Sequence, residues 1–223
     1  MGSPRTKRSV STGRWRFPGG AGALSPEIIG EIQQARIFEA MCLAIAEEGG
    51  FGRMTVTDIL DRAGTSTRSF YEHFDNKEAC LLAAFAVYGT QLGSDLAAAW
   101  AGAERWPEKV SAAISAALEF GAQAPLQLRF LLLEAQSAGP KLVSEQRLAL
   151  ERLTGRLREG RSAYEKAADL SAGTEEMVVA GIAWRIGRAL LDDEPLDQLG
   201  SELVEFALAP YVGAGRARRL AGP

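Results

Sequence analysis

From residue 25 onward, apolar positions recur at intervals of three and four along most of the chain and do not alternate one by one, so the pattern predicts helices and no strands. The first stripe is Ile37, Ala40, Met41, Ala44 and Ile45. Ahead of it Ser25 is placed to cap, Pro26 suits the first helical position and Glu27 the positive end of the helix dipole, while Gly49 and Gly50 end the run. A short second helix starts after Thr55, whose hydroxyl can accept the backbone N–H near Asp58, and carries Val56, Ile59, Leu60 and Ala63 on one face before Gly64. Ser66 can cap a third short helix running to about His73, with Phe70 and Phe74 one turn apart and facing inward. Asp75 and Glu78 read as a D-x-x-E capping pair for a fourth helix striped by Leu81, Phe85, Tyr88 and Leu92. Five further helices are expected at about 107–122, 125–138, 140–160, 174–192 and 196–210, with Pro107, Pro125, Pro140 and Pro195 near their starts. The fold class is therefore all-α.

Residues 1–24 lack this periodicity and are rich in Ser, Gly, Pro and Arg, which predicts a disordered basic arm. The divisions that follow are an arm at 1–24, a helix-turn-helix domain at 25–74, a helical ligand and dimerisation domain at 75–213 opened by a linking helix at 75–92, and a tail at 214–223. With 223 residues, 47% of them hydrophobic, the chain is long enough to bury a substantial core. No apolar run reaches bilayer length, and the arginines near the N-terminus are not followed by a sustained apolar core, so no membrane partner and a cytoplasmic location are expected. Cys42 and Cys80 lie inside helical patterns without metal spacing and read as small buried hydrophobes, so no metal or cofactor is expected. The net charge of −3 hides an asymmetry, because every charge before Glu27 is positive. A low overall charge is thus no argument against a nucleic-acid partner at that end.

Two short amphipathic helices joined by a glycine turn and backed by a long one form a helix-turn-helix pattern, in which the second helix enters the major groove of double-stranded DNA. Thr67, Arg68 and Ser69 fall at its exposed N-terminal positions: arginine takes a guanine edge with two hydrogen bonds, and hydroxyls serve bases or phosphates. Tyr71, His73 and Lys77 are expected at phosphates, where they set register without reading sequence, and Thr55 and Ser66 are further candidate DNA contacts. Arg14 and Arg16 in the basic arm are candidates for the same backbone or for an A·T-rich minor groove.

The run MTVTDILDRAGTSTRSFYEHFDNKEACLLAAF resembles the DNA-binding signature of TetR/AcrR-type transcriptional regulators. The Thr-Val start, Ala-Gly turn, Ser cap, aromatic pair, His-Phe and Lys-Glu come in that family's order. Thr65 departs from it, standing where the family usually has valine, and Thr67 and Arg68 fall in its variable reading positions. The resemblance implies a homodimer whose larger part binds a small, mostly apolar effector, and a repressor released from a palindromic operator. Met177, Gly181, Trp184 and Arg188 on one expected helix, with Leu199, Leu203 and Phe206 on the next, are the candidate dimer face. Phe85, Tyr88, Trp100, Trp106, Phe120, Phe130 and Leu131 are candidate pocket walls, with Gln127 and Glu134 as candidate polar contacts.

An enzyme is disfavoured, since the chain has a single histidine, no Gly-rich phosphate loop after a strand and no serine in a strand-to-helix elbow. The remaining alternative is a helical interaction or small-molecule-binding protein that uses the helix-turn-helix only as scaffold.

Overall fold

The computed structural model describes residues 25–134 and 139–222. Among them are ten α-helices, two 3-10 turns and no strand. Helix α1 (Pro26–Glu48) is capped by Ser25, which accepts from the Ile28 N–H, and it stops where Gly49 takes the left-handed conformation at φ 76°. Helix α2 (Val56–Ala63) opens with a reciprocal capping box between Thr55 and Asp58 and closes at Gly64, φ 59°. Ser66 caps α3 (Thr67–His73) by accepting from the Ser69 N–H at 3.1 Å.

The cap of α4 (Lys77–Ala101) differs from expectation. Asn76 supplies it, accepting from the Ala79 N–H at 2.7 Å, so the expected Asp75–Glu78 pair is out of register by one residue. The remaining helices are α5 (Trp106–Gln123), α6 (Pro125–Leu133), α7 (Pro140–Ala163), α8 (Thr174–Leu191), α9 (Gly200–Val212) and α10 (Ala214–Ala221), with 3-10 turns at Glu165–Ala167 and Leu196–Leu199. Helix α6 ends at Leu133, short of the expected 138. Residues 214–221, expected as tail, form a helix that buries Ala217 and pairs Arg218 with Glu205 of α9 at 3.0 Å. Among described residues no helix is long and apolar enough to cross a membrane.

Two apolar clusters organise the molecule. One joins α1 to α4 with α6 through Ile37, Met41, Ile59, Phe70, Leu81 and Phe130. The other joins α5 to α10 through Val110, Leu128, Leu157, Ile186, Leu208 and Tyr211, and Leu92 of α4 and Phe120 of α5 pack against both. At 1.5 Å per residue the 25 residues of α4 span roughly 37 Å, enough to run from one cluster into the other. Cys42 and Cys80 are buried in the first cluster, and burial pushes the Cys80 thiol up to about 12.

The second cluster carries one buried charge. Glu175 is inaccessible to solvent, and Arg161 donates to its carboxylate at 2.6 and 2.9 Å while the Tyr211 hydroxyl donates at 3.2 Å. Arg161 also donates to the carbonyls of Leu170 and Ser171, tying α7, the turn after it and α8 together. Donation by Arg161 holds the Glu175 carboxyl below the usual glutamate range even though burial acts the other way.

Candidate nucleic-acid interface and ligand cavity

Helix α3 is aimed by its aromatic underside. Phe70 is fully buried and lies 5.6 Å, centroid to centroid, from Phe74, which in turn lies 5.5 Å from Phe38 of α1. With that face fixed, helical periodicity leaves Thr67, Arg68 and Tyr71 outward. The Arg68 side chain is 91% exposed and paired with Glu72 one turn on at 3.0 Å, an ion pair in high-dielectric surroundings that a guanine edge can displace. Thr55 and Ser66 are exposed, but their hydroxyls serve the caps of α2 and α3.

Three residues expected at phosphates or base edges have other partners. Ser69 is half-buried, with its hydroxyl 3.5 Å from Gln33 Oε1. His73 lies between α3 and α1: Nδ1 is 3.3 Å from Gln34 Nε2 and Nε2 is 3.5 Å from Gln33 Oε1, an arrangement satisfied by the tautomer protonated at Nε2. Lys77 is turned inward. It donates to the carbonyls of Met54 at 2.8 Å and Phe51 at 3.2 Å, with its ammonium 4.5 Å from the Phe51 ring centroid. An ammonium with two carbonyl partners and an aromatic face is a structural clamp on the α1–α2 turn. Arg14 and Arg16 lie outside the described residues.

Residues without an assigned role at the sequence level hold the reading head in shape. Arg36 donates to the Ala63 carbonyl at the end of α2, and Arg62 bridges to Glu47 and Glu48 at the end of α1, at 2.8 and 2.9 Å. Their signal was faint, because an arginine on a helix reads as a solvated charge until its neighbours are known. Phe51 joins this region to the rest of the molecule: its N–H donates to Glu134 at the end of α6 (3.4 Å), and its carbonyl accepts from Lys77 at the start of α4.

The second cluster lines a partly open cavity of about 130 Å³ between α4, α5, α6, α7 and α8. Its walls include Leu92, Trp100, Ala117, Leu128, Leu153 and Ile186, and Arg156 is the one charged liner. Of the pocket residues expected from sequence only Trp100 lines it. Phe85, Tyr88, Phe130 and Leu131 belong instead to the core of the reading head, where Tyr88 bonds with Gln127 and is pushed up by burial, and Phe120 packs between the two clusters. Trp106 packs 4.6 Å from Tyr211, and Glu134 faces Phe51. Aromatic bulk suggested the pocket. The space is lined instead by aliphatic residues, because large rings fill volume.

The expected dimer face divides. Met177, Trp184 and Phe206 are 63%, 64% and 48% exposed, Arg188 is exposed, and Gly181 lies under Phe206, where an added Cβ would meet ring carbons at 3.0 Å. Leu199 and Leu203 are buried within the chain and take no part in an open face.

Residues 43–84, the end of α1 through the start of α4, match the sequence profile of the bacterial regulatory proteins of the tetR family. That segment carries the tetR-family signature. No curated protein matches the chain in sequence. Solved structures share its fold: the fatty acid degradation regulator FadR of Bacillus halodurans at 18% identity and TM-score 0.63, covering 80% of this chain and 98% of that one; a tetR-family regulatory protein of Rhodococcus RHA1 at 19% and 0.65, covering 80% and 96%; and FadR of Bacillus subtilis, in complex with stearoyl-CoA, at 20% and 0.58, covering 80% and 98%. The matched profile is that of bacterial regulatory proteins, and these solved structures are of transcription regulators.

Proposed function

We propose that this protein is a TetR-family regulator, a homodimeric, sequence-specific DNA-binding protein of the cytoplasm and a repressor that leaves a palindromic operator when a small, mostly apolar effector enters the cavity. One observation carries the reading: an outward α3 tip, Thr67 to Arg68, and a nearly all-apolar cavity are joined by the same two helices. Both α4 and α6 put side chains into the core of the reading head and into the cavity wall. Residues 25–74 are assigned to DNA and the helices from 75 onward to effector binding and dimerisation. Thr67 and Arg68 read bases, and Tyr71 contacts the backbone.

The dimer reading rests on Met177, Trp184, Leu191 and Phe206, large apolar side chains that share an exposed face of α8 and α9. A two-fold pair sets two reading helices about one duplex turn apart, roughly 34–36 Å. The effector reading draws on the lining and on the stearoyl-CoA bound by the Bacillus subtilis FadR. An apolar cavity near 150 Å³ accepts benzene, so this one takes a ring or short acyl segment as it stands, and a longer chain parts the helices. That parting displaces the reading heads from successive grooves.

Selection of bound sequences from a random duplex pool tests the reading, with Arg68→Ala and Trp184→Glu variants in parallel. A palindromic consensus, lost selectivity with Arg68→Ala and a folded monomer with Trp184→Glu are expected. No enrichment of any duplex at moderate ionic strength refutes it.

A further inference from the structure

The cavity's lone charge calls for a reason. Hydrocarbon walls suit any apolar ligand, and such a ligand needs no cation. Yet the Arg156 guanidinium lies 5.7 Å from the Trp100 ring centroid, and the Lys109 ammonium lies 5.9 Å from the same centroid. Trp100 and Arg156 both line the cavity. Neither cation forms an ion pair with a described residue, whereas Arg105, one turn before Lys109 on α5, is paired with Glu108. Packing of the Arg156 methylenes accounts for its stem and leaves its charged end without a counter-charge. Two like charges sharing one indole repel each other, and an anion near both relieves that repulsion while a planar guanidinium offers it two parallel hydrogen bonds.

We propose that Arg156 and Lys109, gathered on Trp100, are the head-group subsite of the cavity, and that the effector is a single-chain amphiphile with an anionic head. The inference rests on the reading of the cavity as an effector site and names the class of molecule. The head, a carboxylate or a phosphate ester, sits at Trp100, and the tail runs inward among aliphatic walls that include Leu128 and Leu132 of α6. The apolar tail supplies most of the affinity, and the cations select anionic over neutral chains.

Calorimetric titration of the full chain with decanoate, decan-1-ol and decanoyl-CoA tests this. Wild type is expected to bind decanoate about tenfold more tightly than decan-1-ol, the scale of one charge-assisted hydrogen bond. In Arg156→Gln that preference falls to within about twofold, with the larger loss on decanoate, and Lys109→Gln reduces it in part. Tighter binding of decanoyl-CoA than decanoate, again dependent on Arg156, assigns the head to a phosphate ester, and weaker binding assigns it to a free carboxylate. Equal affinity of wild type for decanoate and decan-1-ol overturns the proposal. So does an equal loss for both ligands in Arg156→Gln, or no binding of any of the three. Arg156-dependent binding that fails to release DNA leaves the subsite standing and refutes the regulatory reading.

Discussion

Replacing Ala117 by leucine is expected to make the protein more stable and unresponsive to its effector. Ala117 lies on α5 in the cavity wall, half-buried, so a longer side chain there grows into the open space. Three added carbons at about 0.8 kcal/mol each contribute roughly 2 kcal/mol when they pass from water into the apolar space. Imperfect fit costs about half of that, so a net gain of about 1–2 kcal/mol is expected. For a chain of this size that is a rise in Tm of roughly 3–6 °C. Calorimetric melting reads the stability, and anisotropy of a labelled duplex taken from the selection, with and without decanoate, reads the response. Wild-type affinity for the duplex, a raised Tm and no release by ligand are the expected results. A lowered Tm with an intact response would mean that Ala117 does not face the effector space, and a raised Tm with an intact response would place the effector elsewhere.

Lys77→Met should weaken binding to specific and random duplexes alike and lower the midpoint of urea unfolding, while leaving the slope of log affinity against log salt unchanged; a slope reduced by about one, measured by titration at several salt concentrations, would put Lys77 at a phosphate after all. Gly160→Ala should destabilise by about 1–3 kcal/mol in urea unfolding, because its Cβ would run into the Trp106 indole ring wedged beneath α7, and wild-type stability would contradict that packing. Because the Glu175 carboxyl is held low in the folded state, its ion pair contributes fully above the ordinary glutamate value of about 4.3 and is lost as pH falls through the lowered native value. Glu175→Gln should therefore be less stable than wild type at neutral pH, with the gap narrowing in acid, and a gap constant from pH 7 to about 3 would refute the linkage.

The helices of the reading head were legible almost to the residue because their ends are written in local chemistry. Ser25, Thr55 and Ser66 cap in the chain as their positions suggest, and Gly49 and Gly64 turn left-handed where the stripes stop. The α4 cap slipped by one because Asp75 and Asn76 are both competent caps and only the entry path of the chain chooses between them. Helix α10 was hidden by composition: three arginines in eight residues look solvated, and only Ala217 is fully buried. Side-chain placements were legible where exposure follows from periodicity, as for Arg68 and Tyr71. They were not where a long polar side chain chooses between solvent and a distant carbonyl, as Lys77 and His73 do. The cavity is a relation among five helices, and no short stretch of sequence encodes an absence of atoms.

The two hydrogen bonds on either side of Phe51 make this residue a pin between the first apolar cluster and the helices that run on to the second. One of its backbone groups is held by the end of α6 and the other by the start of α4, so any sliding of those helices past each other tugs at a single short stretch of backbone. Its amide is therefore a natural gauge. Protection of that proton from deuterium reports whether the two halves of the molecule are engaged, without labels and without a duplex present.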